Sequence, residues 1–579
     1  MKKVVYIIGL CIFLAGNYSC SDDHLNEKPL DFFSPENSYV TADDYQKAIN
    51  ELYRQVRWIC YCDAEYKVYL TGTDMAHDGR YQLTARFGGH TNYLVPTNGD
   101  VYRHWNNWYK VSANANTIIS RVQETDLTDG EKDLITAEAK FFRAFAYRFL
   151  VYLWGGVPLV TEEATSPKTD YVRASKEEVL SQIAADALDA ANGLPKITEV
   201  VDGKISNLVA YHLLAETYIS LGRYDDAIIA ASEVINDPNT GLMTQRFGSM
   251  ANEDPHDELL KFTQPGDPYW DLFRRSNQDR SSGNKESLWN IKFVPDVQGG
   301  NQSSGGIPGN VGNSDAGYGS GLLERHAGPV AWMLFLDPDG NAGTLGLPES
   351  SYNSGGAGVA QMRNTDYYLY DLWQDDWDND IRNAPHNIVR DFIYNNPASA
   401  YYGKSAIGEF KSPTWESQIW RWWPYPTKIT TPGQHPDECY VDKEKNQIKS
   451  TCGSTYRDHY MMRLAETYLI RAEAYLGKGD LQNAANDINM VRSRAKAKPV
   501  APANVNIDYI LDERGRELTY EEPRRITLHR VGKHVERVRR CNTLNRDEIQ
   551  DHHGLWPIPY AEIERNKDAV LEQNPGYVN

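Results

Sequence analysis

Catalytic signatures are missing from this 579-residue chain. It has no G-x-S-x-G elbow, no H-E-x-x-H, no P-loop and no G-x-G-x-x-G opening a helix, so the common hydrolase, zinc-protease and nucleotide-binding templates are excluded. Positive charge is also short. Lys and Arg number 60 against 79 Asp and Glu, a formal charge of -19, and such a surface repels nucleic-acid phosphates and anionic membranes. Cysteine is scarce, with seven residues and no C-x2-C pair to suggest zinc. Leaving aside Cys11 and Cys20, an odd set remains: Cys60, Cys62, Cys439, Cys452 and Cys541. Cys439 and Cys452 flank a polar stretch and could close a loop, whereas Cys60 and Cys62 are too close for an easy bridge. Long apolar runs are absent too, because the one run, Val4 to Ala15, is too short to span a bilayer.

That short run follows Lys2 and Lys3 and ends in "GNYSC", which makes residues 1–19 a targeting segment. The small residue before Cys20 resembles a bacterial lipoprotein cleavage site, with Cys20 as the lipidated first residue of the mature chain, although Asn17 stands where leucine is usual. Residues 20–38, polar and Pro-punctuated, read as an extended tether, and "SDD" after the cysteine resembles a surface-export signal of Bacteroidota lipoproteins.

Aromatic residues are what the chain has in excess: 37 Tyr and 14 Trp among 579 residues. Apolar residues recur at helical spacing over 39–240 and again over 456–579. Thr41 before "ADDY" and Ser175 with Glu178 read as N-caps, and Gly155-Gly156 before Pro158 reads as the exit of a long helix. "AEAYLGKGDLQNAA" at 472–485 repeats the spacing of Ala215, Tyr218, Gly222, Tyr224 and Ala227 as Ala472, Tyr475, Gly479, Leu481 and Ala484. Small residues for close helix approach around a glycine turn resemble a tetratricopeptide repeat, whose helix pairs must stack to bury their apolar faces. Between the copies, 241–455 loses helical periodicity yet holds nine of the 14 Trp, so it reads as an ordered, irregular, ligand-facing insertion on a helical scaffold.

Flat rings beside short polar side chains suit sugars, because aromatic faces cover the apolar face of a pyranose while polar groups bond its hydroxyls. The aromatic and polar residues off the helical stripes are Tyr81, Arg86, Trp105, Tyr318, His326 and Trp332, and these are the candidate ligand residues. Trp289 alternates like a strand residue and is assigned to packing, while Trp422 and Trp423 are assigned to bracing the insertion. No cofactor is expected; a structural calcium is possible at "DLWQDDWDND" (371–380), although an Asp380–Arg382 pair with the other acids solvated is the simpler reading. "DPDGN" (337–341) lacks the full twelve-residue calcium pattern and reads as a turn.

Five stretches, in order, resemble SusD-like (RagB/SusD) lipoproteins: "SPENSYVTADDYQKAINELYR", "AEAKFFRAFAYRFLVYLWGGVPLV", "YMMRLAETYLIRAEAYLGKGDLQNAANDINMVRSRA", "ILDERGRELTYEEPRRITLHRVGK" and "PIPYAEIERNKDAVLEQNPGY". Glu522-Pro523 replaces a common Gly-His pair. The resemblance implies a mainly α fold, a tetratricopeptide-like scaffold with a loop-rich insertion, anchored through Cys20 in the outer membrane at the cell surface. It also implies a non-catalytic role: capture of oligosaccharide and delivery, by hinge opening and closure, to a SusC-like TonB-dependent transporter. The competing readings are a helical surface glycoside hydrolase or lyase, which the plentiful acids permit, and a peptide-binding adaptor, which leaves the Trp-rich insertion without a purpose.

Overall fold

The computed structural model describes residues 38–61, 67–79, 89–293, 323–333, 335–413 and 421–578. The expectations for the targeting segment, Cys20, Tyr81, Arg86 and Tyr318 lie outside those residues.

The fold is mainly helical. Helix α1 (Ala42–Tyr61) starts where Thr41 and Asp44 cap each other, with Thr41 Oγ1 donating to Asp44 Oδ2 at 2.7 Å. Next come α2 (Gly99–Val122), α3 (Asp129–Trp154) and α4 (Lys176–Gly193); Thr128–Glu131 and Ser175–Glu178 form full capping boxes on α3 and α4. Nearly every side chain from Phe141 to Trp154 is buried, so the second half of α3 is the axis on which its neighbours pack. Gly155 ends it at φ +75, a left-handed exit that a side chain resists.

The repeated sequence motif becomes two helical hairpins, α5 (Asn207–Ser220) with α6 (Tyr224–Ile235), and α7 (Leu464–Gly477) with α8 (Leu481–Arg494). The turns match bond for bond: Arg223 N–H donates to Tyr218 O at 2.8 Å, and Asp480 N–H donates to Tyr475 O at 2.9 Å. Gly222 (φ +70) and Gly479 (φ +78) occupy the left-handed position in each. Ala215, Ala227, Ala472 and Ala484 are wholly buried, as close helix approach requires.

Although more than 220 residues separate them in sequence, α6 packs directly on α7. A Cβ on Gly477 would lie 2.3 Å from the Tyr224 ring, which fixes how near the two hairpins come. The helices therefore stack in chain order, α2 on α3, α3 on α4, and so on to α8, and the residues between α6 and α7 are looped out of a continuous stack. Helices α9 (Ile507–Leu518), α10 (Arg524–Arg530) and α11 (His534–Cys541) close the C-terminal side.

The looped-out residues form short helical turns and two-residue to five-residue strands, which pair only two at a time among the described residues. β1 (Ala76–Asp78) pairs antiparallel with β3 (Met362–Asn364). β2 (Ser287–Ile291) pairs with β6 (His459–Arg463), and β4 (Tyr440–Asp442) with β5 (Gln447–Ile448). Trp289 on β2 is buried against Phe141, Phe142 and Phe145 of α3, so the strand is stitched to the scaffold by aromatic edges.

Buried ion pairs do the same at a larger scale. Glu286, Asp376, Arg382 and Lys428 of the irregular portion meet Arg463, Arg492, Arg494, Glu513, Glu517 and Glu521 of β6, α8 and the α9 region in one connected network. Burial opposes the charge on Glu517, but Arg494, Arg463 and Arg382 outweigh it and hold that carboxyl far below its ordinary range.

Candidate functional site

One short stretch, Val359 to Arg363, gathers chain segments from across the irregular portion. Gly79 donates its N–H to Gln361 O at 2.9 Å, Gln361 donates to His326 O at 2.8 Å, and Val359 donates to Arg325 O at 2.8 Å. Ala360 donates to Gly328 O at 3.1 Å, while nearby Val330 donates to Arg421 O at 2.6 Å. The backbones touch: a Cβ on Gly79 would lie 2.5 Å from Ala360 O, and one on Gly358 would lie 2.3 Å from Gly328. Gly79, Leu323 and Arg421 are flanking residues of 80–88, 294–322 and 414–420, and all three are on segments anchored at this place.

β1 is held rigidly here. Asp74, just before it, accepts from Arg524 (2.9 and 2.7 Å) and Arg537 (2.8 Å), and these guanidiniums overcome burial to bring its pKa down to about 2. Arg525 of α10 donates to Val68 O at 2.8 Å and Thr71 O at 2.6 Å. The β1–β3 register then sets His77 opposite Arg363.

On this frame sits a patch of rings and guanidiniums. Trp332, half-buried, donates its indole N–H to Gly358 O at 2.9 Å and packs against Val330, Ala360 and Trp423. Arg363 lies 5.9 Å from the centroid of the Trp423 ring and 3.3 Å from the His77 ring nitrogens. Burial first, and the Arg363 charge second, push the His77 pKa down to about 3, so the imidazole is neutral beside the cation. The Trp423 indole N–H is buried with no acceptor among the described residues. Met333 is 49 % exposed next to Trp332, and Arg421 donates to Met333 O at 3.3 Å. The patch offers a fixed aromatic edge, a cation and open indole and methionine surface: a place to stack a flat apolar face and bond polar groups around it.

Of the residues nominated from sequence, Trp332 lies in this patch. His326 is on the adjoining turn Leu323–Ala327, but at 1 % exposure its ring is inside, so ligand contact is replaced by a framework role through its backbone carbonyl. Trp105 is elsewhere, and a different role follows. At 3 % exposure its ring packs edge-on to Trp154 (5.2 Å, 86°) and against Tyr109, as the apolar stripe of α2 demands. It forms the floor of a separate cavity of about 560 Å³ between α2, residues 158–171 and residues 562–571. Tyr109, Asn116 and Asn566 hold those walls by bonds to Pro158 O, Val160 O and Tyr171 O, and nothing from 323–426 lines the cavity. Sequence reading missed His77 and Arg363, while its assignment of Trp423 to bracing agrees with that ring's 4 % exposure and its packing against Val330 and Ala360. Trp422, its neighbour in "RWW", is buried against Phe392 and braces the insertion as assigned.

The acidic candidates for a cation are engaged by protein donors. Asp376 pairs with Arg492 and Asp380 with Arg382, as anticipated for the latter, while Asp337 Oδ1 accepts the N–H groups of Asp339 and Asn341 in a turn.

Two family models match the chain: one described as the SusD family over residues 285–577, and one described as starch-binding associating with outer membrane over residues 28–219. The chain belongs to the SusD family. A SusD-like protein P2 of Formosa agariphila is 24 % identical over 601 residues and covers all of both chains. Among solved structures, a laminarin binding SusD-like protein superposes with a TM-score of 0.63 at 22 % identity, covering 93 % of this chain and 100 % of that one. Surface glycan-binding protein A of Bacteroides thetaiotaomicron, in complex with laminarihexaose, gives 0.61 at 17 % identity over 92 % and 99 % of the two chains. The SusD fold is thus shared over nearly the full length at low sequence identity.

Proposed function

We propose that this SusD family member is a non-catalytic surface lipoprotein, anchored through Cys20, that captures oligosaccharide at the Trp332–Trp423–Arg363 patch and passes it to a SusC-like TonB-dependent transporter of the outer membrane. The observation that supports the site is the backbone bonding of Gly79, Arg325, His326 and Gly328 to Val359–Gln361. Tyr81, Arg86 and Tyr318 lie outside the described residues, and their part in ligand contact rests on the sequence. Related proteins with laminarin, laminarihexaose or starch in their names support a glycan as the ligand class.

Rings on a shallow surface give weak binding, because each adds about 0.5–1.5 kcal/mol beyond area burial; affinities in the millimolar to micromolar range are expected. Calorimetry against plant, host and microbial polysaccharides, with laminarin and starch fragments included, tests the reading. Trp332→Ala and Arg363→Ala should each weaken binding about three- to tenfold, in line with one lost stacking or cation contact. Unchanged affinity in both variants removes the site; multiple turnovers abolished by changing a single carboxylate replace capture with hydrolysis.

A further inference from the structure

The hairpin β4–β5 continues one residue beyond its strands, where Lys449 N–H donates to Cys439 O at 2.9 Å. The chain then curls, Cys452 N–H donating to Lys449 O at 3.0 Å, and this turn brings Cys452 back under Cys439. Cys452 Sγ lies 3.8 Å from Cys439 O, and Cys439 Sγ lies 3.2 Å from Tyr456 Oη. Both cysteines are free thiols in the structure. Both are wholly buried in a small cluster with Ala357, Ile448 and Tyr456, apart from the main core. The hairpin ladder and the turn at Cys452 hold the two residues side by side, the arrangement that a disulfide requires.

We propose that Cys439 and Cys452 pair as a disulfide when the chain folds in contact with a disulfide donor, either a low-molecular-weight disulfide or a protein disulfide. One cysteine thiolate attacks a donor sulfur and forms a mixed disulfide, releasing the first donor thiol. The other thiolate then attacks the chain's own sulfur in that bond, closing Cys439–Cys452 and releasing the second donor thiol. Two cysteine thiols are oxidised, one donor disulfide is reduced to two thiols, and the cysteine protons pass to solvent. Since neither sulfur reaches solvent in the fold, the exchange precedes packing of Tyr456 over the hairpin. The bond staples the polar loop that carries Lys443, Lys445 and Lys449, whose β5 strand also pairs with residues 348–350 through Ile448 N–H to Pro348 O at 2.9 Å.

The full chain, unfolded and refolded in mixed oxidised and reduced glutathione, then alkylated in denaturant and mapped by mass spectrometry, tests this. A linked Cys439–Cys452 peptide should dominate, with Cys60, Cys62 and Cys541 alkylated. Limited trypsin cleavage within 443–449 should leave the two flanking fragments joined in denaturant in the oxidised wild-type protein and separated in the reduced one, and Cys439→Ala/Cys452→Ala should erase the difference. Alkylation or separate glutathionylation of both cysteines, or pairing of either with another cysteine, overturns the proposal. The comparison of oxidised and reduced wild type needs no variant, so it decides the matter even where the double substitution folds poorly. The donor is supplied in the buffer, so the result stands apart from where the chain resides.

Discussion

At the scale of single residues, exposure separates two tryptophans that look alike in sequence. Trp105 follows a basic pair in "RHWNNWY" and is nominated from sequence to face ligand, yet α2 turns it inward onto Trp154. Replacing a buried tryptophan by alanine removes its packing and leaves a cavity, a loss of about 3–5 kcal/mol. Trp105→Ala should therefore lower unfolding stability by that amount in denaturant titrations while glycan affinity in calorimetry stays within about twofold. A loss of affinity in a variant that remains folded would bring the 560 Å³ cavity into the binding site. Trp332→Ala should give the reverse pattern, with weaker binding and a smaller change in unfolding midpoint than Trp105→Ala, since that ring is partly exposed and packs only on the small Val330–Ala360–Trp423 cluster. The pair of variants separates packing from recognition in a way neither does alone.

At the scale of elements, the helices are readable because caps, glycine exits and a 3.6-residue period are local chemistry: Thr41, Ser175–Glu178, Gly155, Gly222 and Gly479 all act where they stand in sequence. The patch is not, because its members come from residues 77, 332, 363 and 423, each ordinary in its own neighbourhood and joined only by strand register and backbone contact. The same holds for the ion network, whose carboxylates look like surface helix charges until α9 is packed. Glu517 accepts from Arg463 at 2.7 Å and from Arg382 at 3.0 Å and also pairs with Arg494, all four groups being buried. Removing one member strands buried guanidiniums, which costs about 3–5 kcal/mol. Glu517→Gln should thus destabilise the protein by that order in denaturant titrations, and limited proteolysis should cut first in the irregular portion, which the network ties to α8 and α9. Unfolding with an unchanged midpoint would show that the aromatic stitching at Trp289 suffices.

At the scale of the whole molecule, acid is the condition to which this fold is most exposed. His90, His529, His534 and His553 cluster between α10, α11 and neighbouring turns, with His90 Nε2 and His534 Nε2 3.3 Å apart and Arg525 Nη1 3.2 Å from His534. Burial and the Arg525 charge push all four well down, His553 to about 4; His77 and His104 are pushed to about 3, and His459 falls too. These groups are neutral in the fold and take up protons in the unfolded chain, whose imidazoles titrate near about 6.5. Their contribution is therefore fully present above pH 6.5 and is lost as pH falls from there towards the folded values near 4 and 3, each group giving up about 1 kcal/mol per unit of pH. His435, where Glu324 outweighs burial and raises the pKa, and Glu349, which burial pushes up to about 7, act in the opposite direction over the same range. The carboxylates held low by arginine, Asp74 and Glu513 near 2 among them, add their own loss only below the ordinary carboxylate range. Denaturant midpoints should accordingly be flat from pH 8 to 7 and fall between 6.5 and 5, above the range in which the arginine-held carboxylates titrate. His534→Phe, which removes one buried imidazole and its orphaned Nδ1, should soften that slope. Equal midpoints at pH 7.5 and 5.5 would mean that the cluster opens to water without unfolding, and that α10 and α11 are less firmly docked than their packing indicates.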